Sequence, residues 1–212
     1  MQEFILNRIY MIPAILVGFA FHEFAHALVA DRLGDKTPRF QGRLTLNPMA
    51  HIDLIGFVMT IIAGFGWAKP VQVNPSAFKN YRKDDFKVSI AGPLANIITA
   101  FIFTVIMVLY ARYVYTPMID NQLVGIIFYM LYYISYINIA LFLFNLIPIP
   151  GLDGFRILAD LFPRAFDKIG EALYQYQIFI MLIFLATPIT RYIISKPASI
   201  IYSLFINILS VI

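Results

Sequence analysis

The chain has 212 residues, of which 60% are hydrophobic and only 13% are charged, about half the charged share of an ordinary soluble domain. So few charges cannot cover a water-facing globule of this size, and we expect an integral membrane protein. The chain has no cysteine, which excludes disulfides, thiolate metal ligands and a cysteine nucleophile. The net charge of +4 comes from basic residues in loops, which favours contact with a membrane surface and not with nucleic acid.

Four apolar stretches are long enough to cross a hydrocarbon core of ~30 Å, which takes about 20 helical residues. They cover residues 9–30, 88–110, 123–147 and 173–193. A fifth stretch, 198–212, is shorter and either crosses the membrane or lies at its surface. The predicted fold class is an all-α polytopic membrane protein with four to five transmembrane helices and six at most.

We expect one membrane-embedded domain over residues 1–212, with a catalytic core at 8–162 and C-terminal helices at 170–212. Residues 39–73, between the first two spans, differ from the spans because they are rich in glycine and proline. Their apolar run, 52–65, is too short to cross the membrane comfortably, and we predict a re-entrant, β-hairpin-like segment. Irregular backbone at membrane depth has to pack on protein or line a wet cavity.

The basic residues predict the orientation of the chain in the membrane. With the N-terminus outside, the outer side holds Arg8, Arg112, Arg191 and Lys196, and the remaining twelve of the 16 lysine and arginine residues are inside. Cytoplasmic loops carry such an excess of lysine and arginine. The sequence therefore predicts that the N-terminus is outside.

The first span contains the pattern HEFAH, from His22 to His26. Residues i and i+4 share one face of a helix, ~6 Å apart along its axis, so both imidazoles can reach one metal ion. Glu23 lies beside them, near enough to take a proton from an attacking water. A charge in the middle of a span costs ~2.5–3.5 kcal/mol and usually marks a function, although satisfied polar residues in a helix bundle are the alternative. Gly18 and Ala25, on the same face, are small enough to admit a neighbouring helix.

A catalytic zinc ion usually has three protein ligands, so one more residue is needed. The predicted topology brings Asp153, in the stretch NLIPIPGLDG after the third span, to the same side as His26. The alternative for Asp153 is a turn or a helix cap, because Asp-Gly commonly marks a turn. Among the other acids, Asp31 and Asp35 are expected to be interfacial loop charges, and Asp160 and Asp167 to be solvated. Asp53 and the third histidine, His51, stay open as further candidates, with a satisfied loop histidine favoured for His51.

The two motifs together resemble the site-2 protease family of intramembrane zinc metalloproteases. The second family motif, Asn-x-x-Pro-x-Pro-x-x-Asp-Gly, is matched by Asn145, Pro148, Pro150, Asp153 and Gly154. NPMAHID, GWAKPV and AGPLAN are further stretches similar to the short members of the family. The connection between the second and third spans is too short for a PDZ-like domain, and we expect the short form, without a PDZ or CBS domain.

The resemblance implies one Zn²⁺ per chain, held by His22, His26 and Asp153, with Glu23 as general base and acid. It also implies that Asn145 lies near the substrate backbone or the oxyanion. From the residues alone, Asn145 equally suits an amide that satisfies backbone groups freed by the two prolines. Those prolines break the third span, which lets Asp153 turn toward the metal.

The predicted function is therefore zinc-dependent intramembrane endopeptidase activity on membrane proteins with a transmembrane helix. The expected location is the cell membrane, with the active site toward the cytoplasm and lipid as the other partner. The alternative is a non-proteolytic zinc-binding membrane protein or a transporter, which usually shows several polar sites and internal repeats. For Asn96, in AGPLAN, packing is favoured over catalysis. The family further implies a strand hairpin near Trp67 that pairs with unwound substrate.

Overall fold

A computed structural model describes residues 2–63, 66–115 and 121–210, and helices dominate these ranges. The helices are α1 (Gln2–Arg32), α2 (Thr37–Phe40), α3 (Leu54–Ala63), α4 (Tyr81–Tyr113), α5 (Gln122–Asn145), α6 (Asp153–Leu161), α7 (Pro163–Gln175), α8 (Gln177–Ala186) and α9 (Lys196–Leu209). A π-helical turn, Arg191–Ser195, leads directly into α9. Over the described ranges the only strand pairing is one antiparallel bridge, Ile52 with Ala68, which confirms the all-α class.

Four helical segments are long and apolar enough to cross a membrane: Arg8–Arg32, Tyr81–Tyr113, Gln122–Asn145 and Arg191–Leu209. A fifth is the pair Lys168–Gln175 and Gln177–Ala186, which is bent by 68° at its break. The prediction of four to five helices that are apolar enough to span a membrane is therefore confirmed. Whether 1–212 forms a single domain stays a prediction.

The predicted boundaries of the last two spans were wrong. The stretch predicted as a fourth span, 173–193, is interrupted at Tyr176 and its helix α8 ends at Ala186. Thr187 then adopts an extended conformation, as expected for a residue that precedes a proline. The final stretch, predicted to be short, gains the π-helical turn at its start and becomes a helical segment of 19 residues.

The centre of the molecule is a bundle of α1, α4 and α5. At Gly18, α1 and α5 approach so closely that a Cβ atom would lie 2.6 Å from Leu141 Cδ1. A larger residue would require the Leu141 side chain to move, so Gly18 lets the two helices approach closely, as predicted. Helix α9 packs on the outside of α4 and α5 through a cluster that includes Ala100, Ile139 and Ala198.

The segment between α1 and α4 contains α3, where a hairpin-like structure was predicted. Its two flanks meet at the Ile52–Ala68 bridge, and Lys69 N–H donates to the carbonyl oxygen of His51 at 2.8 Å. The guanidinium of Arg43 is buried and donates to the carbonyl oxygens of Ala50 and Lys69. These contacts hold the flanks together, but a β-hairpin is not shown.

The turn between α5 and α6 brings Asp153 back to the bundle. Helix α5 ends at Asn145, ahead of both prolines, as predicted. Gly151 has φ +96°, a conformation that glycine adopts without strain. Gly154 lies directly against the Leu146 carbonyl, where a side chain would clash, so α6 starts immediately beside the end of α5.

Candidate metal centre

His22, His26 and Asp153 converge at one point inside the bundle. Asp153 Oδ2 lies 3.2 Å from His22 Nε2 and 3.3 Å from His26 Nε2, and the two Nε2 atoms are 3.0 Å apart. Both histidines are buried, in the second half of α1, and Asp153 is the first residue of α6. The structure thus brings together the three predicted ligands.

Both imidazoles are oriented by contacts on their other nitrogen. His22 Nδ1 lies 2.7 Å from Asn96 Oδ1, and His26 Nδ1 lies 2.7 Å from the carbonyl oxygen of Val88. Each oxygen can only accept, so each Nδ1 carries the proton and each Nε2 keeps a free lone pair. Histidine ligands in proteins are commonly fixed in this way.

The donor set fits a divalent metal ion. Asp153 Oδ2 is buried and has no hydrogen-bond partner, although such an oxygen is costly to leave unpaired. It faces two nitrogen lone pairs at little more than 3 Å, and a cation between the three atoms removes their mutual repulsion. Two imidazoles and one carboxylate form a common catalytic zinc site.

Glu23 is buried beside the two histidines, and the backbone N–H of Val71 donates to its Oε2 at 2.8 Å. Val71 belongs to the non-helical stretch 66–74 that precedes α4. The segment that was predicted to pack on protein or to line a cavity therefore lies against Glu23 of the HEFAH pattern.

A cavity of about 350 Å³ opens over these groups. Its lining includes the three candidate ligands, Glu23 and Asn145, together with residues of the non-helical stretch such as Trp67 and Val71. Asn145 Nδ2 donates to the Leu141 carbonyl at 3.0 Å, and not to backbone groups next to the prolines. The arrangement offers a metal site, a carboxylate and an amide to a molecule in the cavity.

The other candidates lie outside this cavity and have local partners. Asp53 caps α3 by accepting the N–H of Gly56 at 2.8 Å. His51 is fully buried and its Nε2 donates to the Thr45 carbonyl at 2.7 Å, whereas its Nδ1 has no hydrogen-bond partner. The satisfied loop histidine that was favoured is therefore found for one of its two nitrogens. Burial lowers the pKa of His51 below its usual value, which keeps it neutral.

Three acids differ from the sequence prediction. Asp31 and Asp35 were expected at an interface but are buried. Asp31 accepts two hydrogen bonds from Arg39, at 2.8 and 2.7 Å, and Asp35 accepts the N–H of Thr37 and that of Asn74. Asp160 was expected to be solvated, but its Oδ2 is buried without a hydrogen-bond partner. The side chain of Asp167 lies outside the described residues.

Sequence reasoning missed the groups that orient the ligands. For Asn96 packing was favoured, yet its amide is fully buried and contacts His22. Asn138, on α5, was not considered, although its amide in an apolar span was a signal. The Val88 carbonyl and the Val71 N–H carry no signal in the sequence, because every residue has a backbone carbonyl and every residue except proline has an N–H.

The family model described as Peptidase family M50 matches residues 10–127 and 114–187, most of the chain. The chain therefore belongs to this peptidase family, and the predicted resemblance is confirmed. The fold and site, with a metal-binding pattern inside apolar helices, agree with this assignment.

Among its relatives, YwhC of Bacillus subtilis is 40% identical over 185 residues, which are 87% of this chain and 84% of that protein. Rip2 of Mycolicibacterium smegmatis is 31% identical over 186 residues, 85% of this chain and 68% of that protein. MJ0611 of Methanocaldococcus jannaschii is 28% identical over 182 residues, 84% of this chain and 83% of that protein. All three are named as zinc metalloproteases. No solved structure gives a significant match.

Proposed function

We propose that this chain is a zinc-dependent intramembrane endopeptidase that hydrolyses peptide bonds within or near the transmembrane segments of membrane proteins. The observation that carries the proposal is the convergence of His22, His26 and Asp153 beside Glu23, among helices apolar enough to cross a membrane. The names of the relatives support zinc as the metal. The one candidate metal cluster among the described residues supports one ion per chain.

In this proposal the two Nε2 atoms and the Asp153 carboxylate hold the ion. A zinc ion in such a site polarises a substrate carbonyl and lowers the pKa of water toward ~7. The protein contributes ligands whose orientation is set in advance by Asn96 and Val88. Little reorganisation is then required when substrate arrives.

Glu23 is the proposed general base and acid. Since Val71 N–H fixes one carboxylate oxygen, the other oxygen is the one that accepts a proton from the attacking water. The same oxygen then returns the proton to the leaving amine nitrogen. Its burial keeps bulk water from competing for that proton.

Asn145 is the proposed partner of the substrate backbone or of the oxyanion. Its Nδ2 group has two protons, and the Leu141 carbonyl accepts one of them. The second N–H and the side-chain oxygen are available to a bound peptide in the cavity. Fixed N–H donors at a developing oxyanion typically contribute about 10²–10³-fold to kcat.

The stretch 66–74 is the proposed binding edge for unwound substrate. It is non-helical, lines the cavity over the candidate metal site and pairs through Ala68 with Ile52, ahead of α3. An extended peptide can add to such an edge through main-chain hydrogen bonds. Helix α3, with ten residues, is ~15 Å long and reaches only half-way through a bilayer core, which supports a re-entrant segment.

The proposed location is the cell membrane, crossed several times, with the metal site toward the cytoplasm. The excess of lysine and arginine on one side of the predicted topology supports this orientation. The proposed partners are a membrane protein substrate with a transmembrane helix and the lipid around it, and no nucleic acid.

The first test is the zinc content of the purified full-length protein in detergent, for wild type and Asp153→Ala. We expect about one zinc per chain in the wild type and a loss of most of it in the variant, since two ligands remain of the three. A wild type without zinc after gentle purification, or a variant that keeps its zinc, contradicts the proposed ligand set.

The second test is cleavage of a transmembrane peptide in liposomes by wild type and Glu23→Gln. The variant keeps the shape of the side chain but cannot accept a proton, so zinc should stay bound while cleavage falls by about 10²–10⁴-fold. Unchanged cleavage excludes Glu23 as the base. Bound zinc without cleavage of any transmembrane peptide by the wild type favours the alternative, a non-proteolytic zinc-binding protein or transporter.

A further inference from the structure

A line of two buried amides connects α5 to His22. Asn138 on α5 and Asn96 on α4 are both fully buried. Asn138 Oδ1 accepts from Asn96 Nδ2 at 2.9 Å, and Asn96 Oδ1 contacts His22 Nδ1 at 2.7 Å. Asn96 Nδ2 also donates to the Gly18 carbonyl at 3.1 Å, so α1, α4 and α5 meet at this amide.

The contacts determine which way each amide points. Asn138 Nδ2 donates to the Ile134 carbonyl of its own helix at 2.8 Å, so its Oδ1 is directed at Asn96. Asn96 then faces two acceptors, Asn138 Oδ1 and the Gly18 carbonyl, and both protons of its Nδ2 are used. A flipped Asn96 would place its own oxygen against those two acceptors. The Oδ1 atom of Asn96 is therefore directed at His22. Because this oxygen accepts a hydrogen bond, the imidazole of His22 carries its proton on Nδ1.

Packing alone does not explain the two amides. A buried amide in an apolar bundle is costly unless it is fully hydrogen-bonded, and an apolar pair of similar shape can be equally stable. The same two helices carry a second buried polar pair, Thr104 and Ser135, whose oxygens lie 2.5 Å apart. Thr104 also donates to the Ala100 carbonyl, and this pair does not contact the candidate ligands. The second pair therefore serves as a matched control.

We propose that Asn138 is a positioning residue for the metal centre: acting through Asn96, it holds His22 in the tautomer and orientation that leave Nε2 for the metal. This inference rests on the proposed metal site. It makes α5 a determinant of metal affinity although Asn138 contacts no candidate ligand itself. Partners outside the ligands typically change metal affinity by 10–100-fold.

The test is a double-mutant cycle with Asn96→Leu and Asn138→Leu in the full-length protein. The measured quantities are the Zn²⁺ dissociation constant, by competition with a chelator, and the absorption spectrum of the Co²⁺-substituted protein. We expect Asn138→Leu to weaken Zn²⁺ binding by about 10–100-fold and to shift the Co²⁺ bands. Because Asn138 acts through Asn96, the double variant should bind Zn²⁺ no more weakly than Asn96→Leu alone.

Thr104→Val is the control, because it removes a polar contact between the same two helices. We expect this variant to bind Zn²⁺ with wild-type affinity.

If Asn138→Leu does not fold, two other variants test the inference. Asn138→Asp in its protonated form keeps both hydrogen bonds and should retain the metal, whereas Asn138→Val should not. Three results overturn the inference: wild-type affinity in Asn138→Leu, an equal loss in Thr104→Val, or losses that multiply in the double variant. A wild type that binds no zinc refutes the proposed function itself.

Discussion

At the residue scale, the candidate metal centre depends on how closely α4 approaches α1. Gly92 of α4 faces both imidazoles, and a Cβ atom there would lie 2.6 Å from His22 Cε1 and 2.7 Å from His22 Nε2. Real Cβ atoms do not approach other atoms so closely, so any larger residue has to displace the imidazoles or the helix. The absence of a side chain at this position is thus part of the site.

Gly92→Ala is therefore expected to weaken Zn²⁺ binding by at least about 10-fold, the lower end of what a displaced ligand environment costs. Metal competition with a chelator measures the effect on purified protein. Gly170→Ala is the matched control, since a Cβ there meets no atom within 4 Å. The control should keep its zinc and gain about 0.5–1 kcal/mol in stability, because alanine is favoured over glycine within a helix. Full zinc affinity in Gly92→Ala would show that the close approach is unnecessary.

The sequence located His22, Glu23, His26 and Asp153, and the structure brings these four side chains together, while their roles stay predictions. Two of them could be placed because a spacing of four residues puts both histidines on one helix face. The prediction of Asp153 also required the topology: the first and third spans cross the membrane in the same direction, so they end on the same side. Which residues of α4 and α5 face His22 depends on helix rotation, which the weak periodicity of these apolar spans does not specify.

At the scale of elements, Arg43 acts as a clamp on the segment that lines the cavity. Its guanidinium joins the carbonyls of Ala50 and Lys69, two residues before Val71, whose N–H binds Glu23. Burial lowers the pKa of Arg43 below its ordinary value, although arginine stays charged. A substitution at Arg43 should therefore alter the position of the Glu23 carboxylate, because residues 69–71 connect the two contacts.

We predict that Arg43→Met loosens residues 66–74 and lowers kcat/KM by about 10–100-fold, the cost of misplacing reacting groups by about 1 Å. Zinc content should not change, since the clamp contacts no candidate ligand. Hydrogen exchange of the segment and cleavage of a transmembrane peptide are the measurements. Arg39→Gln, which breaks the nearby pair with Asp31, is the control and should alter neither. Unchanged exchange in Arg43→Met would exclude the clamp.

The contact of α6 with α4 should make stability depend on pH. Burial and the nearby Asp85 carboxylate raise the pKa of Asp160 to about 6, although Arg156 and Arg82 act in the opposite direction. The unfolded value is about 3.9, so between about pH 4 and 6 the folded state binds the proton more tightly. Folding stability from this group therefore falls as pH rises through that window.

Asp160→Asn removes the titration, so this variant should melt at a higher temperature than wild type at pH 7 and at about the same temperature near pH 4. Thermal unfolding in detergent across this range measures it. A difference between Asp160→Asn and wild type that stays constant across this pH range would contradict the assigned cause.

The first three spans were predictable because length and hydropathy alone define them: α1 and α4 contain the predicted stretches 9–30 and 88–110, and α5 contains 123–147 except for its last two residues. The last two were misplaced because a bend at Tyr176 and an extended Thr187 divide an almost uniformly apolar region. Hydropathy averages over such local breaks. For the same reason α3 was not distinguished from a hairpin, since its short apolar run suits either a helix or strands.

At the scale of the whole molecule, the orientation in the membrane can be tested directly because the chain has no cysteine. Single cysteines at Gln41 and Asn121 occupy exposed positions on opposite sides of the predicted topology. In intact cells an impermeant maleimide should label Asn121→Cys readily and Gln41→Cys only after lysis. The excess of lysine and arginine near residue 41 is the physical reason. The reversed labelling pattern would place the N-terminus inside.

The candidate metal site joins residues that are far apart in the sequence and are therefore synthesised at different times. Asp153 follows His26 by 127 residues, and chains grow at about 5–20 residues per second, so the third proposed ligand is made about 6–25 s after the second. During that interval the growing chain exposes two histidines and a glutamate without the carboxylate that completes the site. The proposed site is then incomplete throughout this interval, and we expect no activity from the chain until Asp153 has reached the two histidines.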